Sequence, residues 1–369
     1  MRKSLVPSLA LLAGAACANA QTASPSGVQL YGIVDTGVEF IDNVGTTGAR
    51  ATRMPSLSGG QLPSRWGLRG GEDLGGGLRA VFTLEAGFGV DNGLPQQGGR
   101  AFGRQSFVGL AGNWGTLTFG RHWTMTYHSM LDADVIGPAV FGMAALDPYL
   151  PQARADNSLS YLGTFGGLKL GATYSLGRDT APPANCGGEN AAHECRAWSA
   201  MLKYDAQRWG AAISYDRLEG GGTGTFFGQP AGTAAASGNT DQRRQLNGYW
   251  RVGAAKIGGG IVWRKLRVQP TPLSTRLVYV GASAPVAGPL SVDAQLLQLH
   301  DGRPAAHARA VVVRGNYAFS RRTSVYLLLG RVSNNRNAAY SITAGELSSV
   351  APAPGRGQNG VMVGVRHAF

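Results

Sequence analysis

The stretch Ser64-Arg65-Trp66-Gly67-Leu68-Arg69-Gly70 sets two arginines against two large apolar residues in alternation. In a β-strand successive side chains point to opposite faces, so Arg65, Gly67 and Arg69 share one face and Trp66 and Leu68 the other. A soluble protein buries the apolar face and leaves the arginines in water at its outer surface. A barrel crossing a bilayer does the reverse, because its water lies inside. The rest of the chain decides between the two.

Of 369 residues, 56 are glycine, 15% are charged and 43% are apolar, a composition that excludes a disordered polyelectrolyte. The length fits two average domains or one large all-β domain. The net charge is +13, falling to +11 once Arg2 and Lys3 are removed with a leader. Such a charge points to anionic partners. The basic residues are scattered singly along strand-like segments rather than in blocks, which argues against a nucleic-acid partner.

The N-terminus has the form of a secretory signal over residues 1–20. Arg2 and Lys3 precede an apolar run from Leu5 to Ala16, and Ala18-Asn19-Ala20 is a small-x-small cleavage site. Gly14 stands where a lipoprotein signal ending at Cys17 would have leucine. The mature domain is then 21–369, with Cys186 and Cys195 its remaining cysteines. An even pair nine positions apart in an exported chain reads as a disulfide closing a small loop. Metal binding with His193 lacks the usual pairs of close-spaced ligands. No cofactor is implied.

No segment after the leader reaches 18 consecutive apolar residues, so any membrane role belongs to a β-barrel. Period-2 alternation recurs throughout. Val28, Leu30, Val34, Val38 and Phe40 oppose Gln29, Tyr31, Asp35 and Glu39; Leu78, Phe82 and Leu84 oppose Arg79, Thr83 and Glu85. The pattern predicts sixteen strands, near 28–40, 64–71, 77–88, 100–111, 115–121, 156–165, 167–177, 196–205, 209–217, 243–252, 256–265, 274–283, 289–299, 307–319, 323–332 and 358–369. Their connections alternate long and short. A sandwich has no reason to gather its long loops at one end, whereas an up-and-down membrane barrel does. An even number lets the first strand pair with the last and removes the sheet edges.

The segments "LYGIVDTGVEF", "SRWGLRGGEDLGGGLRAVFTLEAGF", "FGRQSFVGLAGNWGTLTFGRHW", "RADNSLSYLG" and the terminal "VGVRHAF" resemble the general diffusion porins of Gram-negative outer membranes, most closely the β-proteobacterial branch. The resemblance spans the mature chain in order. It implies an all-β, 16-stranded antiparallel transmembrane barrel, usually a homotrimer, whose long third external loop folds inward to narrow the pore. Here that loop runs over about 122–153. It carries Asp132, Asp134 and Asp147 as the acidic side of a constriction. Its "GPAVFG" (137–142) is similar to the family's Pro-Glu-Phe-Gly-Gly turn, with Ala139 and Val140 in place of the glutamate motif. Opposite, the family presents arginines from the wall. Arg65 and Arg104 match by strand position, Arg154 is a third, and Arg69 and Arg79 extend the basic wall. Alternation groups Arg65 with Arg69, Arg104 with Ser106, and Arg154 with Asp156, Ser158 and Ser160. Ile33 stands where some relatives carry a lumen lysine. Phe369 takes the place of the terminal membrane-insertion signal.

The resemblance implies an outer-membrane channel for small hydrophilic solutes, and the missing glutamate with the basic surplus implies anion preference. It also implies contact with outer-membrane lipid, lipopolysaccharide and the barrel-assembly machinery. Other readings stand beside it. Arg65 could serve as a lumen ion pair with Glu85 or Asp35. The 29 arginines partly reflect base composition or sit near lipopolysaccharide. A substrate-specific channel or adhesin-like barrel would carry its function in the loops 218–242 and 333–357. The six histidines show no partner spacing for hydrolytic catalysis, and the glycine runs lack the Gly-Lys-Ser/Thr ending of a phosphate loop.

Overall fold

A computed structural model describes residues 27–55, 58–178, 186, 194–344 and 350–369. Residues 1–20, read as a signal from the sequence, and His193 lie outside the described residues. The strands are β1 (Gly27–Val44), β2 (Ala49–Arg53), β3 (Arg65–Gly75), β4 (Leu78–Gly87), β5 (Gln105–Gly112), β6 (Gly115–Trp123), β7 (Arg154–Phe165), β8 (Leu168–Ser175) and β9 (Ala197–Asp205). There follow β10 (Trp209–Glu219), β11 (Thr240–Val252), β12 (Ala255–Arg267), β13 (Leu273–Ala287), β14 (Leu290–Asp301), β15 (Ala308–Ala318), β16 (Thr323–Asn334) and β17 (Gln358–Ala368). From β3 onward each strand pairs antiparallel with its chain neighbour, and β1 pairs with both β3 and β17. Sixteen strands thus close a barrel.

The additional strand, β2, pairs with the far half of β1 on the side where β3 pairs with the near half. The two occupy one wall position, interrupted between Arg53 and Arg65, where residues 58–64 tuck inside. Asp35 holds that tuck: its carboxylate accepts the N–H groups of Gln61 (3.1 Å) and Leu62 (2.8 Å) and the hydroxyl of Tyr326 (2.8 Å). The tuck lies so close that a Cβ at Gly60 would fall 2.1 Å from the Tyr326 ring.

The outer surface is apolar. Val28, Val108, Phe119, Ile213, Leu296 and Val363 are half-exposed or more, while Asp35, Glu39, Glu85, Arg243, Arg264 and Asp293 face inward and are buried. Strand alternation therefore runs apolar-out and polar-in, as a bilayer requires. Trp66 faces outward, and Gly67 between the two arginines backs onto the inward Tyr31. Large aromatics ring the short-turn end, among them Trp114, Tyr204, Trp209, Trp250 and Tyr317. Their amphipathic rings suit the headgroup level.

Residues 124–153 carry two short helices, α1 (Met125–Met130) and α2 (Met143–Leu146), and pack against inward-facing side chains. Ile136, Phe141, Met143 and Leu146 form one buried cluster with Leu277, Leu297, Val312, Leu328 and Met362 from the wall. Small wall residues make the space. A Cβ on Gly258 would lie 2.3 Å from the Ala133 carbonyl oxygen, and one on Gly360 2.5 Å from the Phe141 ring.

At the long-loop end Cys186 and Cys195 form a disulfide, as their spacing predicts. It rests on the next loop, where a Cβ at Gly221 would meet Cys195 Sγ at 2.5 Å and one at Gly224 would meet Cys186 Sγ at 2.6 Å. Arg178 binds the two loops together. It donates to the carbonyls of Glu219 (3.1 Å) and Thr225 (3.3 Å) and stacks on Phe226.

Closure reaches the last residue. The amide of Phe369 donates to the Gly32 carbonyl, and that of Gly32 to the Phe369 carbonyl, both at 3.1 Å. The terminal ring lies over Gly32, where a Cβ would be 2.2 Å from Cζ. Gly32→Val should displace the ring and destabilise the seam by about 1–3 kcal/mol. The folded band on a heat-shift gel should then disappear at a lower temperature, with Gly315→Val, which has open space and no positive φ, as the control.

Candidate functional site

The first cluster grows from β1, β3 and β4, which bring Tyr31, Arg65 and Glu85 to one inward face. Arg104 donates its Nε to Glu85 Oε1 at 2.7 Å, Arg65 Nε lies 3.4 Å from Oε2, and the Tyr31 hydroxyl donates to Oε2 at 3.0 Å. The lumen pairing of Arg65 with Glu85 is thus present. Arg154 lies over Trp123, its guanidinium carbon 3.4 Å from the ring centroid, and Trp123 stacks on Tyr127 at 3.7 Å. Both Nε and Nη2 of Arg154 are buried without a hydrogen-bond acceptor. Two arginines share one carboxylate and a third is held by stacking, so the cluster is net basic.

Alternation alone does not explain Arg104. Ser106, of the same parity, lies in register with the outward Leu84, two positions before the half-exposed Val108. Arg104 precedes β5, whose first residue is Gln105, and turns inward because its amide binds the Glu85 carbonyl. In β7, too, the period breaks, where the register shifts between Gly120 and His122 and Asn157 has φ of 49°. Asp156 there pairs with Arg100 and Arg121 instead of joining Ser158 and Ser160. Arg69 sits four positions further along β3, hydrogen-bonded to Gln29 and stacked on Tyr31. Arg79 lies in register with Asp73 at the short-turn end, six residues and roughly 20 Å of strand from Glu85. The structure brings Arg65, Arg104 and Arg154 together and leaves Arg69 and Arg79 lower on the wall.

The three loop aspartates do not face this cluster. Asp132 pairs with Lys203, and Asp134 accepts from Gln295 Nε2 at 2.9 Å. Asp147 takes both Nε and Nη2 of Arg243, each at 2.9 Å. Arg243 continues to Asp241 (3.0 Å), and Asp241 to Arg264 (2.8 Å). Arg314, paired with Asp293 at 2.7 Å, donates to the Ile136 carbonyl at 2.9 Å. These basic anchors escaped the sequence reading. Alternation marks Asp241, Arg243 and Arg264 as inward, but only the fold sets them against residues 124–153.

Arg104 and Arg154 share a small recess, about 10 Å³ and room for about one water, with Pro138, Ala144, Pro151 and Gln152. No carboxylate lines it among the described residues. Ala139 and Val140, in the place of the glutamate motif, are fully buried; Val140 donates to the Gly59 carbonyl and accepts from Ala344. Basic groups thus face an uncharged surface.

A family model described as Gram-negative porin matches residues 8–337. The chain belongs to the Gram-negative porin family. Outer membrane porin protein 32 of Delftia acidovorans is 30% identical over the full length of both chains. An outer membrane porin protein of Bordetella pertussis is 39% identical over 55% of this chain and 56% of that one. Among solved structures, an anion-selective porin from Comamonas acidovorans superposes with a TM-score of 0.75 at 27% identity, covering 94% of this porin and all of that chain. The porin resides in the outer membrane, and its relatives are channels rather than enzymes.

Burial alone would push the Asp147 carboxyl up, but Arg243 and Arg264 outweigh it and hold the group below the usual carboxylate range. A carboxyl lowered by folding stabilises above its unfolded pKa, near 3.9, and loses that contribution as pH falls through the lower folded value. The clamp should therefore persist at pH 4 and fail only in stronger acid. Arg243→Met would leave Asp147 buried and unpaired, at a cost of about 3–5 kcal/mol. Hydrogen exchange over 140–150 should then rise and become acid-sensitive above pH 4.

Proposed function

We propose that this porin is an anion-preferring diffusion channel whose constriction lies between Arg65, Arg104 and Arg154 on the wall and the inward-folded residues 138–152. The carrying observation is the recess, basic on one side and uncharged on the other. A pore performs no chemistry: its narrowest ring sets size and its fixed charges set which ions accumulate. Glu85 offsets part of the arginine charge, and two of the loop aspartates, Asp132 and Asp147, are matched by Lys203 and Arg243 on other strands, while Asp134 is held by Gln295. A small anion therefore meets excess positive charge with no facing carboxylate to repel it. Arginine suits this wall because it remains ionised when partly desolvated. The anion-selective porin among the structural neighbours supports the reading. By the same likeness to the family, the working unit is a homotrimer, inserted with Phe369 as the assembly signal.

The experiment is the zero-current potential of the refolded porin in a planar bilayer across a KCl gradient. The expected sign is that of chloride preference, with conductance appearing in groups of three steps. Arg65→Gln and Gln152→Glu should each lower the chloride-to-potassium permeability ratio about fivefold, the effect of roughly 1 kcal/mol. Cation preference in the unaltered protein would contradict the proposal.

A further inference from the structure

A chain of contacts connects the disulfide at the long-loop end to the constriction. Cys186 and Cys195 are both buried, and the bridge grips the start of the loop between β10 and β11. The Cys195 amide donates to the Gly220 carbonyl at 3.0 Å, and the Gly222 amide donates to Glu194 Oε2 at 2.9 Å. That start is Gly220-Gly221-Gly222-Thr223-Gly224, the type of sequence with the most backbone freedom to lose. Gly221 and Gly224 lie directly against the two sulfurs.

The glycines deliver two phenylalanines to the interior. Phe226 is buried beneath the Arg178 guanidinium, whose carbon is 4.6 Å from the ring centroid. It belongs to the same apolar cluster as Tyr149 and Leu150. Its amide donates to Gln229 Oε1 at 2.9 Å, which closes 226–229 into a compact turn. Phe227 lies 6.2 Å from the Tyr149 ring. Gly228, with φ of 59°, comes so near Pro148 that a Cβ would be 3.3 Å from its Cγ. Arg264 fixes this turn from the wall: it donates to the Phe227 carbonyl at 2.6 Å while paired with Asp241 at 2.8 Å.

Tyr149 is thus held from more than one side. Its ring lies 4.2 Å from the Arg243 guanidinium carbon, and its hydroxyl donates to Asp216 at 2.7 Å. The next three residues, Leu150–Gln152, form a single 3-10 turn that ends at the glutamine sharing the recess with Arg104 and Arg154. A shift of Tyr149 is therefore passed on to Gln152. Phe226-Phe227-Gly228-Gln229 carries no charge, so this wedge sets a position without altering the sign of the field.

We propose that the Cys186–Cys195 bridge positions the constriction from a distance. It anchors 220–225, Phe226–Gly228 then brace Pro148 and Tyr149, and Gln152 is held at a fixed separation from the arginines. The inference rests on the reading of 138–152 as the facing side of the pore. It concerns the width of the pore and its sharpness as a sieve.

The test compares the unaltered porin with the refolded variant Cys186→Ser/Cys195→Ser by amide hydrogen exchange and by liposome swelling with neutral sugars. Both readouts are blind to the sign of ion selectivity, so they succeed or fail apart from the anion reading. Exchange should rise about tenfold over 224–229 and again at Tyr149, Leu150 and Gln152, with α1 unchanged. The swelling rate for a disaccharide relative to a monosaccharide should rise about twofold. Phe227→Ala, with the bridge intact, should reproduce the changes at 149–152 and in swelling while leaving 220–225 protected. Phe227→Leu should restore both. The alanine variant carries the test where the serine variant does not fold. A rise confined to 220–229 in the serine variant would overturn the proposal, and so would Phe227→Ala behaving as the unaltered protein.

Discussion

A strand edge cannot face hydrocarbon, because its amides and carbonyls would have no water to bind. Everything else in this porin depends on meeting that constraint by closure. The seam between β1 and β17 extends through Gly32 and Phe369, the final residue of the chain. Once the ring is closed, alternation sorts side chains into a lipid face and a water face. The arginines of the 64–70 stretch then stand in the lumen, and Trp66 outside.

Closure also creates an interior that must be furnished. Residues 124–153 occupy it with an apolar face as well as a polar one, so part of the lumen resembles the core of a soluble domain. The polar anchors are ion pairs to the far wall, with Asp147 on Arg243 and Asp132 on Lys203. Buried pairs of this kind fix position more than they add stability. Their consequence is electrostatic: Asp132 and Asp147 are neutralised on strands remote from Arg65, and the recess-facing side of the loop is uncharged. The resemblance to family members led to an expectation of aspartates opposite arginines. The structure departs from it, and the departure enlarges the basic character of the recess.

All sixteen wall strands were legible, because a lipid-exposed face admits few polar residues and keeps the period of two clean. β2 was not legible: Ala49–Arg53 is short and its partner, the far half of β1, gives no local signal. The position of Arg65 followed from alternation, which left Glu85 and Asp35 equally open as its partner; the structure places Glu85 there. Arg104 reached the cluster for a different reason, an amide bond just before the strand starts. Asp156 left its expected company at a register shift that no composition rule predicts. The Asp147–Arg243 pair joins residues 96 apart, and such long-range contacts appear only when a loop's path is known.

The central claim concerns the sign of the potential between the arginine wall and the uncharged face of the loop. Its most direct test places a single reporter there, Gln152→Cys, with the native disulfide left intact. Channels in a bilayer are exposed to anionic and to cationic methanethiosulfonate reagents of similar size, and the rates of current block are compared. The account predicts that the anionic reagent reacts faster, by a margin that shrinks as salt is raised. Faster reaction of the cationic reagent would contradict it.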